Sequence, residues 1–367
     1  MVEKQLDTVE DAIAAIANGD LVVVVDDEDR ENEGDLIMAA SKASPEQVAF
    51  MIRHTSGILC VPVERGLARS LQLDPMVHAN DAPLQTAFTI SVDYRHGLTT
   101  GISAEERCNT ILGLANSNTS AADFVRPGHI FPLIAREGGV LVRSGHTEAG
   151  VDLARLAGCS PIGLLAEVVN DDGSVKRLGQ LLEFADEHNL TIISIAVLIA
   201  YRQTREHLVE RVEEFEVSTL VGPARAITYR TPFDQIDHLA LVFGEPAADK
   251  SVLVRIHRER LLDDVFGSQS GHDSNLVATC LKHISEAECG IFIYLRDSNE
   301  RAIDLQDDGP LDSSQNSRME QWKEIGVGAQ ILKDLNATTI RLLAGREHNY
   351  VGLSGFGITL EATEPLD

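Results

Sequence analysis

The densest chemical signal in the chain is the acidic run DDEDRENEGD at residues 26–35, which carries seven carboxylates in ten residues. It follows directly on LVVVV at 21–25, a continuous apolar run that predicts a strand buried on both faces. Ligand sites in open α/β sheets lie at the carboxyl ends of strands. Because crowded carboxylates repel one another, a bound cation would stabilise them there. We therefore expect a divalent-cation site in this run rather than only a solvated loop.

The type of cation follows from the donor atoms. An EF-hand loop starting at Asp29 would need a bidentate Glu at its twelfth position, which is Ala40. An EF-hand is therefore excluded. Oxygen-rich ligation with a single histidine favours Mg²⁺ or Mn²⁺ over Zn²⁺.

A second signal is RSGHTEAG at 143–150, placed between a predicted strand at 139–142 and a helix predicted near 147–157. Arg143, His146, Thr147 and Glu148 bring a cationic group, an imidazole and a helix N-terminus together within six residues. Such a turn suits an anion or a metal ion.

Three further segments carry candidate residues. His129 lies in the rigid loop RPGHIFP, where a catalytic and a structural histidine are equally good interpretations. In LTTGISAEER, Thr99, Thr100 and Ser103 precede a helix start and suit a phosphate. Glu167 ends a predicted strand just before the turn sequence NDDG. These signals define one site only if the fold brings them together.

Charge and composition restrict the function classes. The 367 residues include 57 acidic and 31 basic ones, a net charge of -26, which argues against nucleic-acid and anionic-membrane partners. The longest apolar run, 192–201, is too short to span a bilayer. Five cysteines without a CxxC pair, and an N-terminus without the layout of a signal peptide, predict a cytoplasmic protein.

The order of elements predicts two domains. Helical and strand patterns alternate over the first 200 residues, which is typical of a mixed-sheet domain. The polar stretch 201–217 is interpreted as a helical linker, and shorter strands follow it. The predicted fold class is α/β (α+β), with domains at 1–204 and 205–367.

Residues 1–204 resemble the 3,4-dihydroxy-2-butanone 4-phosphate synthases of riboflavin biosynthesis. The resemblance rests on long motifs in one order: DDEDRENEGDL, RHTSGILC, TTGISAEER, RPGHIFPL, RSGHTEA and AEVVNDDG. It implies a lyase that converts D-ribulose 5-phosphate into L-3,4-dihydroxy-2-butanone 4-phosphate and formate. The family also implies a homodimer with sites at the subunit interface, using up to two Mg²⁺ or Mn²⁺ ions per site and no organic cofactor.

The same resemblance assigns roles to individual residues. Glu31 and His146 would be the metal ligands, and His129 and Glu167 the catalytic residues. The residues expected to contact the sugar phosphate are Arg30, Glu31, Asp35, Arg143, Ser144, Gly145, His146, Thr147 and Glu167, with Thr100 and Ser103 as candidates from the phosphate argument. Enolisation beside a carbonyl independently needs a base and an electrophilic cation, which agrees with this set.

Residues 215–361 resemble GTP cyclohydrolase II, through RIHRERLLDDVFGS, EIGVGAQILKDL and RLLAG. The sequence differs from that family at the positions of the zinc ligands and the catalytic residues. The family's first zinc cysteine corresponds to Arg260, its second cysteine pair falls in SQSGHDSNL, and its catalytic Asp and Arg correspond to Gln321 and Lys323. A thiolate zinc site cannot form without its cysteines, so no zinc is expected.

Three interpretations remain open at this point. The first, which we favour, is a synthase with a structural or regulatory second domain. The second is a bifunctional enzyme with a rewired second site, for which His257, His272 and Asp273 are the available donors. The third is a non-catalytic protein that senses nucleotide or sugar phosphate.

Overall fold

Two seven-stranded sheets organise the chain in the computed structural model. The structure describes residues 6–26, 31–232, 236–247, 250–266, 276–296, 326–344 and 353–366. The chain divides into two units, Met1–Tyr201 and Arg202–Asp367. Each unit combines one sheet with helices, which confirms the predicted two-domain α/β class.

The strands of the first unit form one mixed sheet. In chain order they are β1 (Val22–Val25), β2 (Gly34–Ala39), β3 (Cys60–Val63), β4 (Val92–Tyr94), β5 (Phe124–Ile134), β6 (Gly163–Glu167) and β7 (Thr191–Ser194). Their spatial order is β4-β5-β3-β6-β2-β1-β7. Strand β1 is buried at every position, as its β-branched run predicts.

The helices that accompany this sheet are α1 (Val9–Asn18), α2 (Pro45–His54), α3 (Arg65–Ser70), α4 (Ala104–Ala115), α5 (His146–Leu156), α6 (Leu178–Glu187) and α7 (Ile195–Arg205). Sequence signals set their ends. The Thr8 side chain accepts a hydrogen bond from Asp11 N, and Gly19 closes α1 with a φ of 93°. This confirms the predicted start and stop of the first helix.

The strand pairing gathers the candidate residues at one end of the sheet. Strands β1 and β2 are antiparallel neighbours, so the acidic run forms the connection between them. Strand β2 also pairs with β6, and in this register Asp35 lies opposite Glu167. Helix α5 packs against both β2 and β6, and His146 is its first residue. The fold thus brings the acidic run, His146 and Glu167 together.

The second unit has its own mixed sheet, in the order β14-β13-β11-β12-β10-β9-β8. Its strands are β8 (Glu210–Thr219), β9 (Gly222–Arg230), β10 (His238–Phe243), β11 (Ser251–Arg258), β12 (Gly290–Leu295), β13 (Thr339–Ala344) and β14 (Thr359–Pro365). Its helices are α8 (Leu261–Phe266), α9 (Leu276–Glu286) and α10 at 326–334. Separate apolar clusters, one including Ile331 and one including Cys280, form its core.

Two predicted elements are wrong. The stretch 201–217 is not a continuous helix, since α7 ends at Arg205 and Glu210–Thr219 forms a strand that pairs with β9. Residues 139–142 were expected to form a strand, but Gly139–Leu141 form a turn of 3-10 helix. Pairing with β9 makes the first stretch a strand in spite of its composition. At the second, Gly138 and Gly139 have positive φ angles of 93° and 63°, which turn the chain.

None of the helices that the structure describes is long and apolar enough to cross a membrane.

Candidate active site

Three side chains that can hold a metal ion meet at the carboxyl end of β1. Asp26, Glu31 and His146 each offer a ligand atom, and these atoms lie within 4.8 Å of one another. Asp26 and Glu31 are half-buried, and His146 is buried. The structure therefore brings together the two predicted metal ligands and adds a carboxylate that sequence reasoning did not single out within the acidic run.

The orientation of the His146 ring suits metal binding. Its Nε2 lies 3.1 Å from the carbonyl oxygen of Val24, which can only accept a hydrogen bond. A proton on Nε2 makes Nδ1 the nitrogen that carries the lone pair, and this atom lies 3.6 Å from a Glu31 oxygen and 3.9 Å from an Asp35 oxygen. Such a backbone contact fixes the tautomer of ligating histidines. Strand β1 therefore aims Nδ1 at the carboxylates.

Asp26 shapes the loop that carries Glu31. Its two carboxylate oxygens accept hydrogen bonds from the backbone N–H groups of Glu31, at 3.0 Å, and Glu33, at 2.9 Å. Its own N–H donates to the Glu33 carbonyl. Asp26 thus closes the turn as well as facing the site. Its position directly after the buried run is the sequence signal that could have identified it.

The surroundings of the site disfavour the ionised form of its carboxyl groups. Asp35 is only 2 % exposed, and burial raises its pKa to about 8, helped by repulsion from Glu167, Glu33 and Glu31 and opposed by His146. Burial, followed by repulsion from Glu31, raises the pKa of Glu33 to about 7. The Oδ1 atom of Asp35 is buried and has no hydrogen-bond partner among the described residues. A divalent cation beside these groups would offset the repulsion.

Glu167 is held at the end of β6 by a residue that sequence reasoning missed. Ser56 Oγ donates to a Glu167 oxygen at 2.7 Å, and Ser56 N–H donates to the Glu167 carbonyl at 2.8 Å. One oxygen of the half-buried carboxylate is thus fixed. Ser56 belongs to the quoted motif RHTSGILC, which was the available signal.

The RSGHTE turn is built around an internal ion pair. Arg143 Nη1 lies 2.7 Å from a Glu148 oxygen, and Arg143 Nη2 donates to the carbonyl of Leu84 at 3.1 Å. Gly145 leaves room for this ion pair, since a Cβ there would lie 2.4 Å from Arg143 Nη1. Gly145 is the N-cap of α5, with His146 and Thr147 buried in the first turn of the helix and Ser144 half-buried before it. Much of the Arg143 charge is therefore compensated by Glu148.

His129 forms a second titratable group with a partner that the sequence did not reveal. His129 Nδ1 lies 2.7 Å from Oδ2 of the buried Asp93, and His129 N–H donates to Oδ1 at 2.8 Å. The imidazole is 40 % exposed, so its Nε2 can reach a ligand. Gly101 lets a loop cover this pair, because a Cβ there would lie 2.2 Å from Asp93 Oδ2. An acidic residue inside strand β4 was the only local signal for Asp93.

The predicted phosphate contacts at 99–103 are engaged within the chain. Ser103 caps α4 by accepting from Glu106 N, and both Ser103 and Thr99 hydroxyls donate to the Glu106 carboxylate. The hydrogen bonds from Thr99, followed by the weaker one from Ser103, lower the pKa of Glu106 to about 2. Thr100 is exposed. This geometry favours a capping role for Ser103. Arg30 lies outside the described residues.

The second unit holds a hydrogen-bonded group near Arg260. Buried His257 contacts Asp264 through Nε2 at 2.9 Å, and Tyr294 OH donates to the same carboxylate at 2.8 Å. Burial lowers the pKa of His257, against the effect of Asp264. Arg260 is exposed, and its N–H also donates to Asp264. The positions of Gln321, Lys323, His272 and Asp273 lie outside the described residues.

Each of the two units matches a known protein family. Residues 10–201 match the 3,4-dihydroxy-2-butanone 4-phosphate synthase family, and residues 210–365 match GTP cyclohydrolase II. The first match covers more than half of the chain. The chain belongs to the 3,4-dihydroxy-2-butanone 4-phosphate synthase family, in the form that carries a GTP cyclohydrolase II domain behind the synthase.

Curated relatives share this two-part organisation. The chain is 46% identical over 373 residues to the chloroplastic bifunctional riboflavin biosynthesis protein RIBA 1 of Arabidopsis thaliana, covering 98% of this chain and 69% of that protein. It is also 46% identical to the monofunctional RIBA 2 of the same plant, covering 97% of this chain and 76% of that protein.

Solved structures give the same assignment. The two-domain synthase RibBX from A. baumannii superposes with a TM-score of 0.82 and 38% identity, covering 98% of this chain and 99% of that one. A 3,4-dihydroxy-2-butanone 4-phosphate synthase in complex with two magnesium ions is 42% identical, with a TM-score of 0.53, and covers 55% of this chain and 98% of that one. The protein is therefore a 3,4-dihydroxy-2-butanone 4-phosphate synthase, a carbon–carbon lyase.

The His129–Asp93 contact leads to a prediction about Asp93→Asn. An Asn amide would donate to His129 Nδ1, so the proton would move to Nε2 and this atom could no longer accept one. We expect synthase kcat to fall by roughly 10²-fold or more, with little change in KM. Steady-state kinetics of the full chain measures both.

The matched control is Asp123→Asn, which alters an exposed pair in which Asp123 lies 2.7 Å from His96 Nε2. It should leave kcat within about twofold. A D93N enzyme with wild-type kcat would show that the pair only supports the fold.

Proposed function

We propose that this chain converts D-ribulose 5-phosphate into L-3,4-dihydroxy-2-butanone 4-phosphate and formate in riboflavin biosynthesis. The observation that carries the proposal is the group of Asp26, Glu31 and His146 within 4.8 Å of one another, beside Asp35 and Glu167. Such a constellation suits a reaction that needs both a cation and several acid–base groups.

The donor set fits a divalent cation such as Mg²⁺ or Mn²⁺. Two carboxylates and one imidazole converge, and the orphaned Oδ1 of Asp35 faces His146 at 3.9 Å. Glu31 and His146 would hold the ion. Asp26 would either bind the ion as well or act by shaping the loop that carries Glu31. When bound, the cation supplies positive charge that polarises the sugar's carbonyl and hydroxyl oxygens.

The carboxylates around this site would handle protons. Asp35 is buried opposite Glu167 on the neighbouring strand, whereas the Glu167 carboxyl group is half-buried and accepts a hydrogen bond from Ser56. Two carboxyl groups in different environments can divide acid and base duties. Both are thus suited to the enolisation and water loss that the reaction requires.

His129 provides a further proton-transfer group. With its Nδ1 proton donated to Asp93, the neutral ring accepts a proton at Nε2, and Asp93 stabilises the charged form that results. The role of Asp93 is orientation of the imidazole. We therefore assign catalysis to His129 and Glu167, with Asp93 as a positioning residue.

The phosphate group would bind near the start of α5. The backbone N–H groups after Gly145 have no intrahelical acceptor, and a helix N-terminus attracts anions. Arg30 and the segment 143–147 are the proposed contacts. Arg143 acts mainly by holding this segment through Glu148 and the carbonyl of Leu84.

We infer a homodimer. Two exposed apolar side chains lie close to the catalytic groups: Ile58, 48% exposed, lies two residues after Ser56, and Ile102, 54% exposed, follows Gly101. Burial of such side chains against a second copy would stabilise a dimer and exclude water. A cytoplasmic location remains a prediction from the five free cysteines.

For the second domain we propose a structural or regulatory role. Arg260 brings a positive charge where the family has a zinc thiolate, and burial raises the pKa of both Cys280 and Cys289. The bifunctional relative favours the alternative of retained cyclohydrolase activity, whereas RibBX, a two-domain protein described as the synthase alone, favours its loss.

The cation site predicts a strict metal requirement. Formate release from ribulose 5-phosphate should need Mg²⁺ or Mn²⁺, and Glu31→Ala or His146→Ala should each lower turnover at least 10²-fold, because each removes a ligand. A coupled formate assay measures this. Glu183→Ala, on the outer part of α6, is the control carboxylate and should keep wild-type turnover. Full activity in excess chelator would refute the metal assignment.

The dimer prediction is tested by mass and by complementation. Light scattering should give twice the chain mass. If the sites form across the interface, then mixing Glu31→Ala and His129→Ala chains should restore activity, since one site of each mixed dimer keeps both residues. A monomeric mass for an active enzyme would contradict the proposed dimer.

Loss of the cyclohydrolase site predicts that the full chain releases no formate from GTP and contains less than stoichiometric zinc. Opening the purine ring needs water activated by a correctly ligated Zn²⁺, and Arg260, Gln321 and Lys323 replace the groups required for it. Metal analysis and a GTP assay measure the two quantities. One equivalent of zinc together with GTP-dependent formate release would establish the bifunctional alternative instead.

A further inference from the structure

Arg177 reaches the acidic loop from an element distant in sequence. Its Nη1 donates to the backbone carbonyls of Glu31, at 2.6 Å, and of Asn32. Arg177 precedes α6 and lies 146 residues after Glu31. Arg177 lies outside the six motifs by which the chain resembles the synthases. The contact is with the loop backbone, so it bears on the position of the Glu31 side chain and not on its charge alone.

The two carbonyls converge on one nitrogen, which extended backbone does not permit because consecutive carbonyls point in opposite directions. The loop turns instead at Asn32, which has a positive φ of 52°. Asn tolerates this left-handed conformation better than most residues. The turn has two clamps: Asp26 binds its N–H groups on one side, and Arg177 binds its carbonyls.

Packing of α6 sets the reach of Arg177. Gly34, the first residue of β2, allows the helix to lie close, since a Cβ there would lie 2.7 Å from Leu181 Cδ1. The backbone before Arg177 is anchored as well, because Lys176 N–H donates to the Val168 carbonyl at 3.0 Å. Val168 directly follows Glu167 and donates to the Gly34 carbonyl at 2.9 Å. Arg177 therefore connects the Glu167 strand to the cation loop.

We infer that Arg177 is a positioning residue for the cation site: it fixes the turn at 31–32 so that the Glu31 carboxylate stays beside His146. The inference rests on the proposed function, because it assumes that Glu31 and His146 hold the cation. Removing a residue that orients a metal ligand typically weakens metal binding by about 10- to 100-fold. The positive charge of Arg177 also lies beside a strongly acidic loop, which favours the same arrangement.

The experiment compares Arg177→Gln and Arg177→Lys with the wild-type full chain. Mn²⁺ binding is measured by titration calorimetry without substrate, and backbone hydrogen exchange is measured for peptides covering the loop. R177Q should weaken Mn²⁺ binding roughly 10-fold or more and accelerate exchange at the Glu31 and Glu33 amides. R177K keeps a donor and the charge and should recover part of both effects.

The matched control is Arg95→Gln. Arg95 also donates from its guanidinium to two backbone carbonyls, Ala122 at 2.9 Å and Phe124 at 3.3 Å, on other elements of the same unit. R95Q should leave Mn²⁺ affinity and loop exchange unchanged. Equal weakening in R95Q and R177Q would overturn the inference, because the effect would then be a general loss of stability.

Wild-type Mn²⁺ affinity and loop exchange in R177Q would also overturn the inference, while metal-dependent formate release by the wild-type chain would leave the proposed function standing. Failure of the proposed function has a different signature, in which the wild-type chain itself neither binds Mn²⁺ nor releases formate. The loop-exchange comparison still decides in that case whether Arg177 holds the turn.

Discussion

Asp35 lies in the interior of the first unit, opposite Glu167 on the neighbouring strand and 3.9 Å from His146. Burying carboxylates side by side is unfavourable unless positive charge or protons accompany them. Contacts from the surrounding structure hold these groups in place around a cation site. The Val24 carbonyl directs His146 Nδ1 toward the carboxylates, Asp26 closes the loop that carries Glu31, and Arg177 holds that loop from outside. A divalent cation at their meeting point would complete the balance of charge.

His129, the second proposed catalytic group, obeys a different constraint. His129 depends on a single buried carboxylate, Asp93, and on a glycine at position 101 whose missing side chain allows the covering loop to approach. In the proposed function, one group concentrates negative charge for a cation, and the other holds an imidazole in position to accept a proton.

The sequence predicts the parts of this structure that follow from local pattern. The run 21–25 forms a buried strand, Thr8 and Gly19 bound a helix, and Glu31 and His146 meet. It does not predict Asp93, Ser56 or Arg177, because each acts through a partner that only the fold brings near. The stretch 210–219 shows the same limit. Its glutamates favour helix and solvent, yet pairing with β9 makes it a strand. The interpretation of Gln321 and Lys323 follows from the sequence, since both lie outside the described residues.

In the proposed site, Glu31 and His146 hold a divalent cation, and the hydrogen bond to the β1 carbonyl of Val24 selects His146 Nδ1 as the ligand atom. The most direct measurement is anomalous diffraction from crystals of the full chain grown with Mn²⁺. We expect an anomalous peak about 2.1–2.3 Å from both a Glu31 carboxylate oxygen and His146 Nδ1, with Nε2 still hydrogen-bonded to the Val24 carbonyl. A peak elsewhere in the first unit, or an ion bound to His146 Nε2, would contradict it.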